Sequence, residues 1–410
     1  MAKWSLSLPL LLCAAGSAFA EPAEVLTLQR VIELATDATA PVRVARTRVD
    51  EARGILTGAG LRFSENPAIE ALVGPRWAGG RSTDTEIALS VPIELGGKRG
   101  KRLRVAEAAI ASANLGVGDA RRRAGGAAVV AFYRVLHAQQ GRDVALGRKA
   151  LADEFLAAAT ERQRAGDVAL FEVHLAESEV ARADSDVAAA RRDIARARSQ
   201  LAGALGRRSS RGFTVEGELS DRSLLATVGQ ARPADRADVR VAGAELAVAN
   251  AEVSLADAER YPALAFRLSY AREEDADILL GGIALTLPLF QRAQGPRKEA
   301  RARRDRAQIE LEAATATAAS ELEGARAAYR EAVEAVRLLE ERALPRTSEN
   351  AALAAESYRA GKIDLAALLI IRRDALEVRR ELLDQSLEAA LAGVDLWVAA
   401  GAPIPTRRQP

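Results

Sequence analysis

Residues 82–93 alternate in polarity. Thr85, Ile87, Leu89 and Val91 fall on one side of an extended chain, and Glu86, Ala88 and Ser90 on the other. A period of two with one apolar face predicts a β-strand. The stretch before it, PAIEALVGPRW, alternates less cleanly through Ile69, Leu72 and Val73, and AGGRSTD between them is rich in turn residues. A strand hairpin is therefore predicted over 68–93. The pattern returns over 262–289. There Leu264, Phe266, Leu268 and Tyr270 oppose Ala265, Arg267 and Ser269, and Ile283, Leu285 and Leu287 oppose Gly282, Ala284 and Thr286. One face is apolar and the other small or polar, as in a barrel wall with lipid outside and water inside. Strands of about ten residues suit a tilted crossing of an outer membrane. Soluble sheets alternate too, so a small periplasmic β-domain is the competing reading.

The rest of the chain carries helical periodicity. Each hairpin feeds a helix of about 65 residues, Gly100 to Ala165 and Gly295 to Ala360, nearly 100 Å long at about 1.5 Å per residue. Each turns at Gly166 or Gly361 and returns through a helix of about 38 residues. Helices of about 24 residues, Pro41 to Ser64 and Ala237 to Arg260, precede the hairpins, and 24 stacked on 38 nearly matches the long helix. A tube of antiparallel helices with strands at one end follows. Pro345, inside the second long helix, predicts either a bend or a true break there.

Sliding the chain along itself until Pro67 meets Pro262 also brings Gly100 onto Gly295, RAGDVAL (164–170) onto RAGKIDL (359–365) and Gly206 onto Gly401. Self-similarity at one long period means a duplicated unit rather than a solenoid. The predicted organisation is a first repeat over 21–206 with its helical hairpin at 100–205, and a linker over 207–235 that would belt the tube. A second repeat follows over 236–401 with its helical hairpin at 295–400, then a tail at 402–410. The fold class is mainly α with a small membrane β part, built from a duplicated α-β-β-α-α unit.

Composition narrows the chemistry. Residues 1–20 read as an export signal: Lys3, the short apolar run LSLPLLLCAAG, and AFA before Glu21 as a cleavage site. Cys13, the single cysteine, would leave with it, and Leu12 before it is not the small residue that lipidation requires. No later segment supplies the 18 consecutive apolar residues of a membrane helix. The formal charge of +2 on a chain rich in both signs shows no basic excess, against nucleic-acid binding. The two histidines, His137 and His174, lie on opposite arms of one helical hairpin, roughly 30 Å apart along its axis. No cluster of His, Cys or Met is available for a metal. No phosphate loop, nucleophile motif or acid/base pair stands out. The reading is of no enzyme, no cofactor, no catalytic residue and no resident metal.

Four strands per chain cannot close in hydrocarbon, where each unsatisfied backbone group costs several kcal/mol. Two chains would supply eight strands and three would supply twelve. Eight enclose an interior filled by side chains. The small and polar inward residues suit a water-filled lumen, which favours three chains.

The order of elements, the twice-written strand end IAL[ST][VL]P and the R-A-G helix turn resemble the TolC-like outer-membrane efflux family. LTLQRVIELA fits its opening helix, and NPAIEALVGP with PIELGGKRGKR resembles its cobalt–zinc–cadmium, heavy-metal branch. The resemblance covers nearly the whole chain after the signal. It implies a homotrimeric channel-tunnel in the outer membrane of a Gram-negative cell, its helices crossing the periplasm to a periplasmic adaptor and an inner-membrane RND-type pump. It also implies contact with outer-membrane lipid, a passive role, and a periplasmic aperture at the helix turns. Matched onto this chain, the aperture and adaptor residues are Arg164, Gly166, Asp167 and Leu170 in one turn and Arg359, Gly361, Asp364 and Leu365 in the other. Asp167 is expected to cap its return helix, and Asp364 to do so less directly. The stretch LAALLII (365–371) lacks the acidic ring of better-known members, so Asp364 or Glu172 would replace it, or the constriction is apolar. Pro92, Gly96, Gly97 and Pro288 mark the strand-to-helix junction, each proline ending its strand. Drug, solvent or type I protein export are rival cargoes. A periplasmic adaptor is the rival of another class.

Overall fold

The computed structural model describes residues 24–63, 65–77, 82–230, 232–273 and 276–403. The expected signal over 1–20, with Cys13, lies outside the described residues, as does the tail from 404. Two long units recur, each with a helix, a strand hairpin, a long helix and a return helix in that order. The first runs α1 (Leu28–Ala38), α2 (Ala40–Ala59), β2 (Ala68–Arg76), β3 (Ser82–Ile93), α3 (Lys98–Arg164) and α4 (Leu170–Ala204).

The second runs α5 (Ala237–Ala258), β5 (Ala263–Glu273), β6 (Ala276–Thr286), α6 (Gln294–Leu338), α7 (Leu344–Arg359) and α8 (Leu365–Ala400). Between them β4 (Phe213–Val215) pairs in parallel with β1 (Glu24–Leu26), tying the linker to the start of the chain.

Helix α3 is 67 residues, rich in Ala and Arg and without an internal proline, about 100 Å long. It packs on α4 along one stretch and on α2 and α5 along another; α6 packs on α5 and α8. Pro345 does not break the second long helix, which stays helical from Gln294 to Arg359. A π-turn over Leu339–Ala343 precedes it, and Pro345 falls in the first turn of α7, where a missing N–H goes unnoticed. The extra residue of the wide turn absorbs the proline.

The main core lies around the middle of the helices. Phe132 and Tyr133 of α3 meet edge to face at 5.6 Å, and Trp397 of α8 is 1% exposed. The Tyr133 hydroxyl donates to the Asp221 carbonyl at 3.0 Å, fastening the linker to this core. Beside it sits an ion network that the sequence did not announce. Arg236, 3% exposed, donates to both oxygens of Asp238 at 2.8 Å and to Glu321 at 2.6 Å. Arg122 joins Asp119 at 2.7 Å and Asp238 at 3.5 Å, and donates to the Val398 carbonyl at 3.3 Å. Four helices from both repeats meet there. A guanidinium this buried is stable only because its donors are matched.

The two hairpins form one antiparallel sheet in the order β2-β3-β5-β6. Strand β3 bridges the repeats, with Leu89 opposite Leu268 and Ile87 opposite Tyr270. Strand β3 does not stop at Pro92. It runs on to Ile93, with Pro92 opposite Ala265. The β2 ladder ends at Ser90, so Pro92 occupies an edge position where a missing donor is tolerated. Pro288 does lie beyond its strand, two residues after β6 ends at Thr286.

Candidate functional site

Two places carry the functional geometry: the sheet and the helix tips. The register puts Ile69, Ile87, Phe266, Ile283 and Leu285 on one face of the sheet. Ile69 is 77% exposed and Ile283 71%. No helix is packed along the sheet among the described residues. Each such side chain would gain roughly 1.5–3 kcal/mol on leaving water, so this face is built for an apolar surrounding. The opposite face carries Ala88, Ser269 and Gly282, with Arg267 between Glu70 at 3.7 Å and Glu86 at 3.6 Å. Strands β2 and β6 each keep one unpaired edge.

At the tips both long helices end in the same way. The Gly166 N–H bonds to the Gln163 carbonyl and the Asp167 N–H to Arg162; the Gly361 N–H bonds to Tyr358 and the Lys362 N–H to Ser357. This double closure is the Schellman arrangement, which needs a left-handed residue at the turn. Gly166 has φ 82° and Gly361 φ 70°, with open space around both, so backbone conformation is the reason for glycine.

The capping roles are the reverse of those expected. Asp364 is the N-cap of α8 and accepts from the Ala367 N–H at 2.7 Å. Asp167 caps nothing: α4 begins at Leu170, and its N-cap is Ala169, which has no side chain to accept with. The two loops are equally long, and Asp167 stands two positions ahead of the N-cap that Asp364 occupies in the other. Equivalent leucines also diverge. Leu365 is 1% exposed, whereas Leu170 is 56% exposed beside Phe171 at 68%. Arg164 is paired with Glu161 at 2.6 Å, and Arg359 is exposed at the end of α7.

Leu365 is buried because the four tip helices share a second core of Phe155, Ala159, Val173, Ala176, Ala354 and Leu368. A contact missed in the sequence closes it. Arg162 donates to the Tyr358 hydroxyl at 3.0 Å, and its guanidinium carbon lies 5.3 Å from the Tyr358 ring centre. The hydrogen bond to Tyr358 raises the Arg162 pKa further. The signal lay in the repeat itself, since Arg162 corresponds to Ser357 and Tyr358 to Gln163. The contact sits where the two repeats differ.

At the junction Gly97, φ 66°, is the N-cap of α3, and Gly96, φ 72°, lies against Tyr261. Lys98 donates to the Tyr261 carbonyl at 3.4 Å and Arg99 to the Gly60 carbonyl at 2.9 Å. Glu94 pairs with Arg102. Among the described residues no group of three His, Cys, Asp or Glu could hold a metal ion. His137 meets Asp384 of α8 at 2.8 Å and serves as a bridge between helices.

A sheet with one lipid-seeking face, carried on a helix of about 100 Å, is the architecture of a membrane channel component. The chain belongs to the outer membrane efflux protein family, whose profile matches residues 36–207 and 229–402. It is an outer-membrane efflux channel protein, and the adaptor reading falls with that result. It is 28% identical over 299 residues to the cobalt-zinc-cadmium resistance protein CzcC of Cupriavidus metallidurans, covering 71% of this chain and 69% of that protein. Its fold is that of CusC (TM-score 0.76, 16% identity, 92% of both chains). VceC of Vibrio cholerae is similar to the same degree (TM-score 0.76, 19% identity, 92% of this chain and 97% of that one).

Proposed function

We propose that three copies of this chain close a twelve-stranded barrel in the outer membrane and continue it as a helical tunnel through the periplasm. The observation that supports this is the sheet. It has four strands, two open edges and one exposed apolar face, and hydrocarbon tolerates such a sheet only when further copies pair with both edges. The conduit is passive. Its lumen face carries small and polar side chains with Leu72 and Leu280 among them, and the driving energy comes from an RND-type pump through a periplasmic adaptor. The adaptor meets the turns at 164–170 and 359–365, where Leu170 and Phe171 offer the exposed apolar contact. The cargo is heavy-metal cations, a reading supported by the resemblance to CzcC. Selection then falls to the pump and adaptor, since no metal-binding cluster occurs among the described residues.

Thr83→Cys at the start of β3 tests the placement. With the signal removed, the chain has no other cysteine. A bulky maleimide that cannot cross the outer membrane should label intact cells. Labelling only after lysis would put that end of the sheet in the periplasm and sink the proposal. For cargo, a deletion strain should become sensitive to Co, Zn or Cd and not to lipophilic drugs.

A further inference from the structure

We propose that the strand-to-helix junction is a binding surface for anionic phospholipid headgroups in the periplasm-facing leaflet. The inference rests on the reading that the sheet spans the outer membrane. The register gathers four chain segments at one end of the sheet, since Ala68 faces Ser90, Ile93 faces Leu264 and Ala263 faces Thr286. The residues just beyond these strand ends therefore form one collar.

That collar carries cations without carboxylate partners among the described residues: Arg62, Lys98, Arg99, Lys101, Arg104 and Lys298. Lys98 and Arg99 donate to backbone carbonyls, which satisfy their hydrogens and leave their charge uncompensated. Helix stability does not explain them either. Lys98, Arg99 and Lys101 open α3 and Lys298 lies near the start of α6, the ends at which the helix dipole disfavours cations, and neither first turn holds an acidic residue. An outside anion would supply what the fold does not.

A second, independent feature says which anion. The same end of the sheet is rimmed by exposed apolar and aromatic side chains. Phe290 is 90% exposed, Leu289 60% and Leu61 60%, with Phe63 and Tyr261 also exposed. A free phosphate would need none of these, whereas a lipid presents phosphate and acyl chain side by side. The far end of the sheet is different in kind. There Arg76 is consumed by Asp84 at 2.8 Å and by Glu273, and Asp277 accepts from the Tyr270 hydroxyl at 2.7 Å. Arg272 at that far end faces Asp277 across the register, whereas the six unpaired cations of the collar gather at the end from which the helices leave.

The test uses the intact protein purified in a mild, uncharged detergent. Micelles are doped with phosphatidylglycerol or phosphatidylethanolamine, and retained lipid is counted by native mass spectrometry. The fourfold variant R62Q/K101Q/R104Q/K298Q breaks no hydrogen bond or ion pair among the described residues. Each cation near an anionic surface strengthens binding about fivefold at low salt. The wild type should therefore retain phosphatidylglycerol over phosphatidylethanolamine by tenfold or more, less so as salt screens the charge. The variant should lose that preference while holding phosphatidylethanolamine as before. Retention of both lipids without preference, or a variant that keeps the preference, overturns the collar alone. Competition by inorganic phosphate at equal concentration also overturns it, by showing a free-anion site. Retention of neither lipid overturns the membrane reading beneath it.

Discussion

The contact between Arg162 and Tyr358 ties the end of α3 to the end of α7 beside the tip core. If the tips form the aperture, this contact holds it narrow. Tyr358→Phe removes the hydroxyl and keeps the ring. The hydrogen bond has a charged donor, but Arg162 is reached by solvent, so its value falls toward the low end of the range, about 1 kcal/mol. The ring contact adds about 0.5 kcal/mol at an exposed site. Loss of the hydroxyl should raise the population of the loosened tip about fivefold per chain, and Tyr358→Ala with the ring contact gone about tenfold. The second core, with Leu365 and Leu368 each 1% exposed, keeps the hairpins folded while the tip loosens. Single-channel conductance in planar bilayers should show longer or larger openings for Tyr358→Phe. Cells carrying it should admit a large hydrophilic antibiotic. Arg162→Gln, which loses the ring contact as well as the hydrogen bond, should open the tip further than Tyr358→Phe, and the double variant should be no more open than Arg162→Gln alone, because both substitutions act on the same pair. Unchanged conductance, or effects that add in the double variant, would refute the reasoning.

Three further outcomes follow from the geometry. Gly97→Ala should cost about 1–2 kcal/mol for a left-handed alanine in open space; Gly96→Ala should cost more, because its Cβ would lie 2.7 Å from Tyr261 Cγ. The yield of heat-resistant assembled protein in membranes should rank wild type above Gly97→Ala above Gly96→Ala. Asp364→Ala should lose about 1 kcal/mol of cap and speed amide exchange in the first turn of α8, while Asp167→Ala should leave α4 unchanged. Burial raises the Asp238 pKa, yet the hydrogen bonds from Arg236 and the charges of Arg122 and Arg236 outweigh it and hold it below its ordinary value of 3.8. A depressed folded pKa stabilises fully above the unfolded value and is lost as pH falls through the folded one. Amide protection at the start of α5, corrected for intrinsic rates, should thus hold down to about pH 4 and decline below it, and Asp238→Asn should remove that decline.

How much of this was written locally can be judged residue by residue. The alternation of Leu264, Phe266, Leu268 and Tyr270 makes a strand with one apolar face in any context that buries that face. The long Ala- and Arg-rich runs make helices, and Gly166 and Gly361 end them. Periodicity and turn chemistry involve neighbours only, so the elements, the duplication and the family were legible in the chain. What depended on meetings between distant positions was not. Two nearly identical turns leave Leu170 in solvent and bury Leu365, because only one of them faces the shared tip core. Asp364 caps and Asp167 does not, because the return helices start at equivalent leucines and Asp167 lies two positions short of the N-cap. Pro92 stays inside its strand because β2 ends before reaching it. Arg236 is buried because Asp238 and Glu321, the latter far along the chain, converge on it. The sequence by itself determined the elements and their order, since these follow from short-range periodicity. Tertiary structure alone decided which copy of each repeated residue does the work, because pairing energy exists only once the two repeats are packed together.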